Sequence, residues 1–161
     1  FARAHEAVRS LGAGGRGPAT TLTLAVLIGA RAYLVHVGDS RGYHFRGGRL
    51  RQFTRDQTMG DYLTDAGALT EEQARAGGLD NVLASAIGAA EMLPTVGLLD
   101  LAAGDALLLC TDGLTKHVSD DAIKAVLAAD QPPEQACRAL VDAALAGGGS
   151  DNVTVVVARA R

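Results

Sequence analysis

Residues 107–119 read LLLCTDGLTKHVS, and this stretch decides the fold that we expect. Four apolar residues open it and run directly into Thr-Asp-Gly at 111–113. An apolar run of this length that ends in an acid and a glycine is typical of a buried strand that meets a turn. The pattern therefore predicts a central strand that presents the carboxylate of Asp112 at its end.

Two other segments repeat this arrangement of a strand next to an aspartate. Asp39 lies in Gly-Asp-Ser directly after 35–37, and Asp151 lies in Ser-Asp-Asn directly before the apolar residues 153–157. Because strands that are distant in sequence can be neighbours in a sheet, we expect Asp39, Asp112 and Asp151 to converge at one end of it. The alternative is that each aspartate is only a turn residue that hydrogen-bonds its own backbone.

The composition bounds the class of protein. The 161 residues are 48% hydrophobic and 20% charged, which is typical of one globular domain over 1–161. A net charge of −3 without a block of Lys or Arg argues against a nucleic-acid surface. No apolar run approaches the roughly 18 residues that cross a bilayer, and the N-terminal residues do not resemble a signal peptide. Cys110 and Cys137 suggest no disulfide framework, so we expect reduced core cysteines and a cytoplasmic location.

Hydrophobic periodicity predicts an α+β fold. Strands are predicted at 20–28, 31–37, 41–46, 49–53, 96–101, 106–110 and 153–158. Helices are predicted at 1–11, 59–66, 71–76, 120–129 and from 132–134 to about 146. The glycine-rich residues 12–17 are interpreted as a loop, and the polar segment 54–80 as an inserted flap. Strands that come as meanders and helices that come in pairs indicate antiparallel sheets rather than repeated βαβ units.

Carboxylates gathered at the end of a sheet suit a hard divalent cation. Mg²⁺ and Mn²⁺ take oxygen ligands, and the small neighbours Gly38, Ser40, Gly113 and Asn152 leave room for metal-bound waters. A zinc site is disfavoured because the chain has no CxxC or HxxxH spacing.

Four side chains near the aspartates are given structural roles. We expect His36 to be packed in its strand or to lie at an edge, and His117 to be solvated in a loop. Arg41 and Arg46 belong to one predicted strand, and we expect them on a solvated face rather than at a phosphate.

Six short motifs occur in one order along the chain. They are GPATTL at 17–22, VGDSR at 37–41, TRDQT at 54–58, NVLASAIG at 81–88, GDALLLCTDGL at 104–114 and GSDNVTVVV at 149–157. Together they resemble the metal-dependent serine/threonine protein phosphatases of type 2C, in particular the bacterial branch. Each motif alone is weak, whereas the ordered set is specific and covers essentially the whole chain.

The resemblance implies two packed antiparallel β-sheets flanked by pairs of antiparallel helices. It also implies hydrolysis of phosphoserine and phosphothreonine in proteins by a water held between two Mn²⁺ or Mg²⁺ ions, with a third ion in many members. The implied substrate is a phosphorylated protein, such as a serine/threonine kinase or a phosphoprotein regulator.

On the matching motifs, the resemblance assigns Asp112 and Asp151 to the binuclear metal site. Asp39 is implied as a ligand, with Asp112, of the further ion, and Asn152 is implied to orient the site. The flap that shapes substrate access is implied at 57–80. The candidate flap residues are Gln57, Thr58, Met59 and Tyr62.

Two parts of the family pattern are absent from these residues. The family carries an N-terminal section with an Asp-Gly-x-Gly-Gly motif, whose Asp bridges the two metals, and a basic residue that receives the phosphate. Residues 12–17 are glycine-rich but supply no such Asp, and residue 57, where relatives often have His, is Gln. We therefore expect a domain without its N-terminal strands and with little or no phosphatase activity on its own. The alternative is a non-catalytic phosphatase-like module that recruits a kinase or another regulator.

Overall fold

The computed structural model describes residues 1–12 and 17–161, so the middle of the predicted 12–17 loop lies outside the described residues. The helices are α1 Ala2–Arg9, α2 Met59–Asp65, α3 Glu71–Ala76, α4 Asp112–Thr115, α5 Asp120–Ala128 and α6 Pro133–Ala146. The strands are β1 Leu22–Ile28, β2 Arg31–Val37, β3 Arg41–Arg46, β4 Arg49–Gln52, β5 Thr95–Asp100, β6 Ala106–Cys110 and β7 Val155–Arg159. The bounds of every element predicted from the sequence hold within two residues, as is usual for element ends.

The strands form two antiparallel sheets, which confirms the predicted α+β class. One sheet has the order β4-β3-β6-β7, and the other has the order β1-β2-β5. Strand β6 is central in the first sheet, where Leu108 lies opposite Tyr43 of β3 and Val157 of β7. The order of β6 between β3 and β7 brings the end of β6 next to the beginning of β7.

Strand β6 is apolar throughout because both of its faces are buried. Successive side chains of a strand point to opposite faces. Leu108 and its alternate neighbours pack in a cluster with residues of α4, α5 and α6, which include Leu114, Ile123 and Leu140. Leu107 faces the other way and packs with Leu34 of β2 in a second cluster. Each fully buried leucine of this kind stabilises the fold by about 2 kcal/mol.

The contacts divide the chain into two compact units. The first comprises 1–24, 35–39 and 55–96, and the second comprises 25–34, 40–54 and 97–161. Both core clusters, with the four-stranded sheet and helices α4 to α6, belong to the second unit. The assignment of 1–161 to a single catalytic domain stays a prediction.

The helices begin at residues that suit helix starts. In the first unit, the Thr58 hydroxyl accepts a hydrogen bond from the Asp61 backbone N–H at the start of α2, and Thr70 forms a reciprocal capping box with Gln73 in α3. In the second unit, Ser119 caps α5, and α6 begins with Pro133. Within residues 1–12 and 17–161, none of the helices combines the length and hydrophobicity that a membrane span requires.

Candidate metal centre

Asp112 lies two residues after the end of β6 and is the first residue of the helical turn α4, where the sequence predicts only a turn. The residue before it, Thr111, fastens this end of β6 to the segment that precedes β7. Its hydroxyl donates to the Asn152 carbonyl at 3.2 Å and accepts from the Thr154 N–H at 3.0 Å. Thr111 thereby holds the segment that carries Asp151 next to the one that carries Asp112.

Gly113 allows these two segments to approach closely. A Cβ atom at this position would lie 2.3 Å from the Asn152 carbonyl oxygen, closer than non-bonded atoms can approach. The glycine of the Thr-Asp-Gly motif is therefore required by packing, and it places the backbone of residues 151–153 against α4.

Lys116 connects the two aspartates. Its Nζ lies 2.5 Å from Asp112 Oδ2 and 2.9 Å from Asp151 Oδ2. The three side chains are partly open to solvent, with exposed fractions of 36%, 34% and 42% for Lys116, Asp112 and Asp151. The structure thus brings the predicted pair Asp112 and Asp151 to one point, and a cation occupies that point.

The ionisation of this group follows from its contacts. The Asp112 and Asp151 carboxylates raise the pKa of the Lys116 ammonium above its ordinary value. Lys116 lowers the pKa of Asp151, and the backbone N–H of Asn152, 2.8 Å from Asp151 Oδ1, lowers it further. Lys116 is therefore a charged ammonium and Asp151 a carboxylate at neutral pH.

His117 supports the loop on which Asp151 lies. Its Nε2 accepts hydrogen bonds from the Ser150 N–H at 3.1 Å and from the Ser150 hydroxyl at 2.8 Å. His117 is partly exposed in the turn after α4, as expected, and in addition its ring ties the end of α4 to the residue before Asp151. Its role is to position this loop.

Asp39 lies in the first unit, after β2, and the turn before it is tightly held. Gly38 has a φ of +107°, and a Cβ there would lie 2.3 Å from Thr21 Cγ2, so only glycine fits. The Gln57 side chain accepts from the Gly38 N–H at 2.9 Å, and the Gln57 N–H donates to the Gly38 carbonyl at 2.9 Å. Gln57 therefore fastens the turn that carries Asp39.

His36 is the packed residue that the sequence predicts. It is 3% exposed. Its Nε2 donates to the Arg55 carbonyl at 2.9 Å, and its Nδ1 lies 2.9 Å from the Thr23 hydroxyl. Burial lowers the pKa of the imidazole, so it stays neutral near neutral pH.

The other predicted flap residues occupy different positions in the first unit. Thr58 caps α2 and is buried. The Met59 N–H donates to the Val82 carbonyl at 2.7 Å. Tyr62 lies on α2 with 64% of its surface exposed, and it is the most exposed of the four candidate flap residues.

Another aspartate with charged partners, Asp105, lies at the opposite end of β6. Asp105 accepts from Arg46 Nε at 2.9 Å, from His44 Nε2 at 3.0 Å and from the Ala102 N–H at 2.9 Å. Arg46 lies on a solvated face, as the sequence predicts, with 48% of its side chain exposed, and its guanidinium also binds this buried carboxylate. No local pattern in the sequence predicts the contact, since Arg46 and Asp105 are far apart along the chain.

Comparison with known proteins places the chain in a family. The family model of stage II sporulation protein E matches residues 69–161, more than half of the chain. The serine/threonine phosphatase of S. agalactiae has a structure that matches with a TM-score of 0.90 and 31% identity, covering 98% of this chain and 67% of that chain. The chain belongs to the type 2C family of serine/threonine phosphatases. The recognition made from the six ordered motifs is thereby confirmed.

Two further comparisons concern one mycobacterial member of the type 2C family. The serine/threonine protein phosphatase PstP of Mycobacterium tuberculosis is 45% identical over 142 residues, covering 88% of this chain and 27% of that protein. The catalytic domain of PstP in complex with two manganese ions matches with a TM-score of 0.74 and 45% identity, covering 88% of this chain and 58% of that chain. The chain therefore spans about a quarter of the full length of PstP.

The residues at the end of β6 supply oxygen donors of the kind that suits a hard divalent cation. Asp112 and Asp151 hold one cation, the Lys116 ammonium, between two carboxylate oxygens, which are the ligands that Mn²⁺ and Mg²⁺ prefer. Among residues 1–12 and 17–161, no three His, Cys, Asp or Glu side chains are grouped closely enough to hold a metal ion. Two carboxylates, Asp112 and Asp151, therefore offer the kind of ligand atom that a Mn²⁺ or Mg²⁺ ion binds.

Proposed function

We propose that the protein to which this chain belongs hydrolyses phosphoserine and phosphothreonine in proteins with the help of Mn²⁺ or Mg²⁺. The observation that carries the proposal is the convergence of Asp112 and Asp151 on one cation at the end of the central strand. Family membership supplies the reaction class, because the relatives compared above are serine/threonine phosphatases.

In this proposal Asp112 and Asp151 each hold a metal ion through a carboxylate oxygen. The ions supply an activated water and neutralise charge on the phosphate. Asp39 is proposed to share a further ion with Asp112, and Asn152 to orient the site. Asn152 is suited to this role because its N–H donates to Asp151 and its carbonyl accepts from Thr111.

The chain's other residues near the site position the ligands. Thr111 and Gly113 fix the approach of the two segments, and His117 holds the loop through Ser150. A ligand held by such a network loses little entropy when a metal binds, which favours affinity.

The substrate is proposed to be a phosphorylated protein in the cytoplasm, such as a serine/threonine kinase or a phosphoprotein regulator. The flap residues 57–80 are proposed to shape its access, with the exposed Tyr62 as a contact residue. An Asp-Gly-x-Gly-Gly motif does not occur in the 161 residues. We therefore expect the chain alone to release little or no phosphate.

Metal binding tests the ligand assignment directly. We expect Asp112→Asn and Asp151→Asn to lose most Mn²⁺ binding in calorimetry while their circular dichroism stays that of the unaltered chain, because both side chains are partly exposed. Asp142→Asn on α6 is the matched control and should bind as the unaltered chain does. Unchanged Mn²⁺ binding in both site variants would show that the ligand assignment is wrong.

Activity is tested with a phosphothreonine peptide and Mn²⁺. We expect turnover by a full-length protein that carries an Asp-Gly-x-Gly-Gly motif upstream of this chain, and little or none by the 161 residues alone. Efficient turnover by the chain alone would contradict the need for that motif. A full-length protein with the motif but without activity would instead favour the non-catalytic binding module.

A further inference from the structure

Lys116 occupies the position between Asp112 and Asp151 that a metal ion would take. It lies four residues after Asp112, so one turn of helix brings the two side chains together. Asp151 reaches the same ammonium from the segment before β7. Both contacts use the Oδ2 atom, and both are within hydrogen-bond distance.

An ammonium and a divalent cation cannot share this position. A Mn²⁺ or Mg²⁺ ion sits about 2.1 Å from each carboxylate oxygen that it binds. The Lys116 nitrogen is already 2.5 Å and 2.9 Å from the two Oδ2 atoms. An ion on those oxygens would therefore lie in direct contact with the ammonium, where like charges repel strongly.

We propose that Lys116 is a tethered counter-ion that holds Asp112 and Asp151 together in the metal-free protein and has to leave them when a divalent ion binds. The proposal rests on the proposed function, because it takes these two aspartates as metal ligands. It adds a specific consequence: the chain carries its own competitor for the metal, and the apparent metal affinity includes the cost of displacing it.

The side chain is suited to such an exchange. Lys116 is 36% exposed, so the ammonium can turn into water without moving the backbone. A lysine has a flexible four-carbon side chain and binds as a point charge. An arginine would instead bind the carboxylates through a rigid, planar guanidinium. Separation of Asp112 from Asp151 is also opposed by the two hydrogen bonds of the Thr111 hydroxyl, so the ligands stay in place when the lysine leaves.

The chain offers a matched control for the test. Lys116 and Lys124 are its only two lysines. Lys124 is exposed on α5. The two residues therefore allow charge removal at the site to be separated from the same charge removal elsewhere.

The first measurement is the binding of Mn²⁺ by calorimetry to the 161-residue chain. We expect Lys116→Gln to bind Mn²⁺ about fivefold more tightly than the unaltered chain, the range expected when a partly exposed ion pair no longer competes. Lys124→Gln should stay within about twofold, because distant surface charges are screened. Equal affinities for Lys116→Gln and the unaltered chain would overturn the proposal.

The second measurement is limited acetylation of amines, with mass spectrometry to follow each lysine. Without metal, we expect Lys116 to react several times more slowly than Lys124. Saturating Mg²⁺ should raise the reactivity of Lys116 severalfold and leave that of Lys124 unchanged. If Lys116 stayed protected while calorimetry showed bound Mg²⁺, the ammonium would not be displaced and the proposal would be overturned.

The aspartate variants separate this proposal from the proposed function. In Asp112→Asn, Lys116 should react faster than in the unaltered chain even without metal, because Asp151 is then its only carboxylate partner. If Asp112→Asn and Asp151→Asn bind Mn²⁺ as the unaltered chain does, the ligand assignment fails, and the role of Lys116 fails with it. If they lose binding while Lys116→Gln leaves the affinity unchanged, only the role of Lys116 fails.

Discussion

An aspartate with charged partners lies near each end of strand β6, and the two aspartates differ in their access to solvent. Asp105, directly before the strand, has a side chain that is 3% exposed. It is held by Arg46, by His44 and by a backbone N–H. Asp112, two residues after the end of the strand, has a side chain that is 34% exposed and is held by the ammonium of Lys116.

The difference separates a structural carboxylate from one that is suited to binding. The Arg46 guanidinium holds the pKa of Asp105 well below its usual range, although burial acts in the opposite direction. Its partners are a guanidinium fork, a histidine ring and the backbone, and little of the Asp105 side chain is exposed. Asp112 and Asp151 share one flexible partner, so an ion from solvent can exchange with it.

The largest expected effect comes from removal of the buried carboxylate. We expect Asp105→Ala to lower the free energy of unfolding by about 3 kcal/mol, because His44 and the Ala102 N–H lose their buried acceptor. Urea denaturation measures this loss. Mn²⁺ binding at the far end of β6 should not change.

Asp100→Asn is the control for the loss of a carboxylate from another residue that Arg46 contacts. Asp100 pairs with Arg31 at 3.3 Å, but its side chain is 80% exposed, so water replaces the contact and stability should hardly change. An Asp105→Ala variant as stable as Asp100→Asn would remove the distinction between the two ends of β6.

The pH dependence of stability gives the next effect. The pKa of Asp105 lies below the value of about 3.9 that an unfolded aspartate has. The folded protein therefore binds fewer protons than the unfolded chain in this range. The stabilisation by Asp105 is complete above about pH 5 and is lost as the pH falls through the lowered pKa.

Thermal unfolding between pH 6 and pH 2 measures this effect. We expect the melting temperature to fall steeply below about pH 4 in the unaltered chain and less steeply in Asp105→Asn. Asp151→Asn should alter the slope less, because the exposed Asp151 is screened by solvent although its pKa is also lowered. Equal slopes for Asp105→Asn and the unaltered chain would contradict the role of Asp105.

The sequence predicted the partly exposed end of β6, at Asp112, better than the buried end, at Asp105. The run 107–110 and the motif around Asp112 are local signals, and the fold class and β6 followed from them. The predicted strands 96–101 and 106–110 leave Asp105 in the connection between them, and neither Arg46 nor His44 is near it in the sequence. The partner of a buried charge is set by sheet register, which pairs His44 with Leu107 and Phe45 with Ala106.

Within the candidate site, the sequence identified the aspartates but not the side chains that hold them. The helical turn α4 was missed because four residues are too few for a periodic pattern. Its spacing Asp112-x-x-x-Lys116 is a signal that could have revealed the ion pair. The contact of His117 with Ser150 depends on how the loop folds back, so no local pattern reports it.

The smallest expected effect is that of Lys116→Gln on the free energy of unfolding. It separates the two ends of β6 most clearly, because we expect its sign to depend on whether Mn²⁺ is bound. In metal-free buffer, Lys116→Gln should lower the free energy of unfolding by less than about 1 kcal/mol, since the partly exposed Asp112 and Asp151 then repel each other through water. With saturating Mn²⁺, the same variant should be at least as stable as the unaltered chain, because the tighter binding adds stability through mass action. Asp105→Ala should stay destabilised by the same amount with and without Mn²⁺. A Lys116→Gln variant that lost equal stability in both buffers would make Lys116 a fixed structural partner like Arg46, and the two ends of β6 would then not differ in kind.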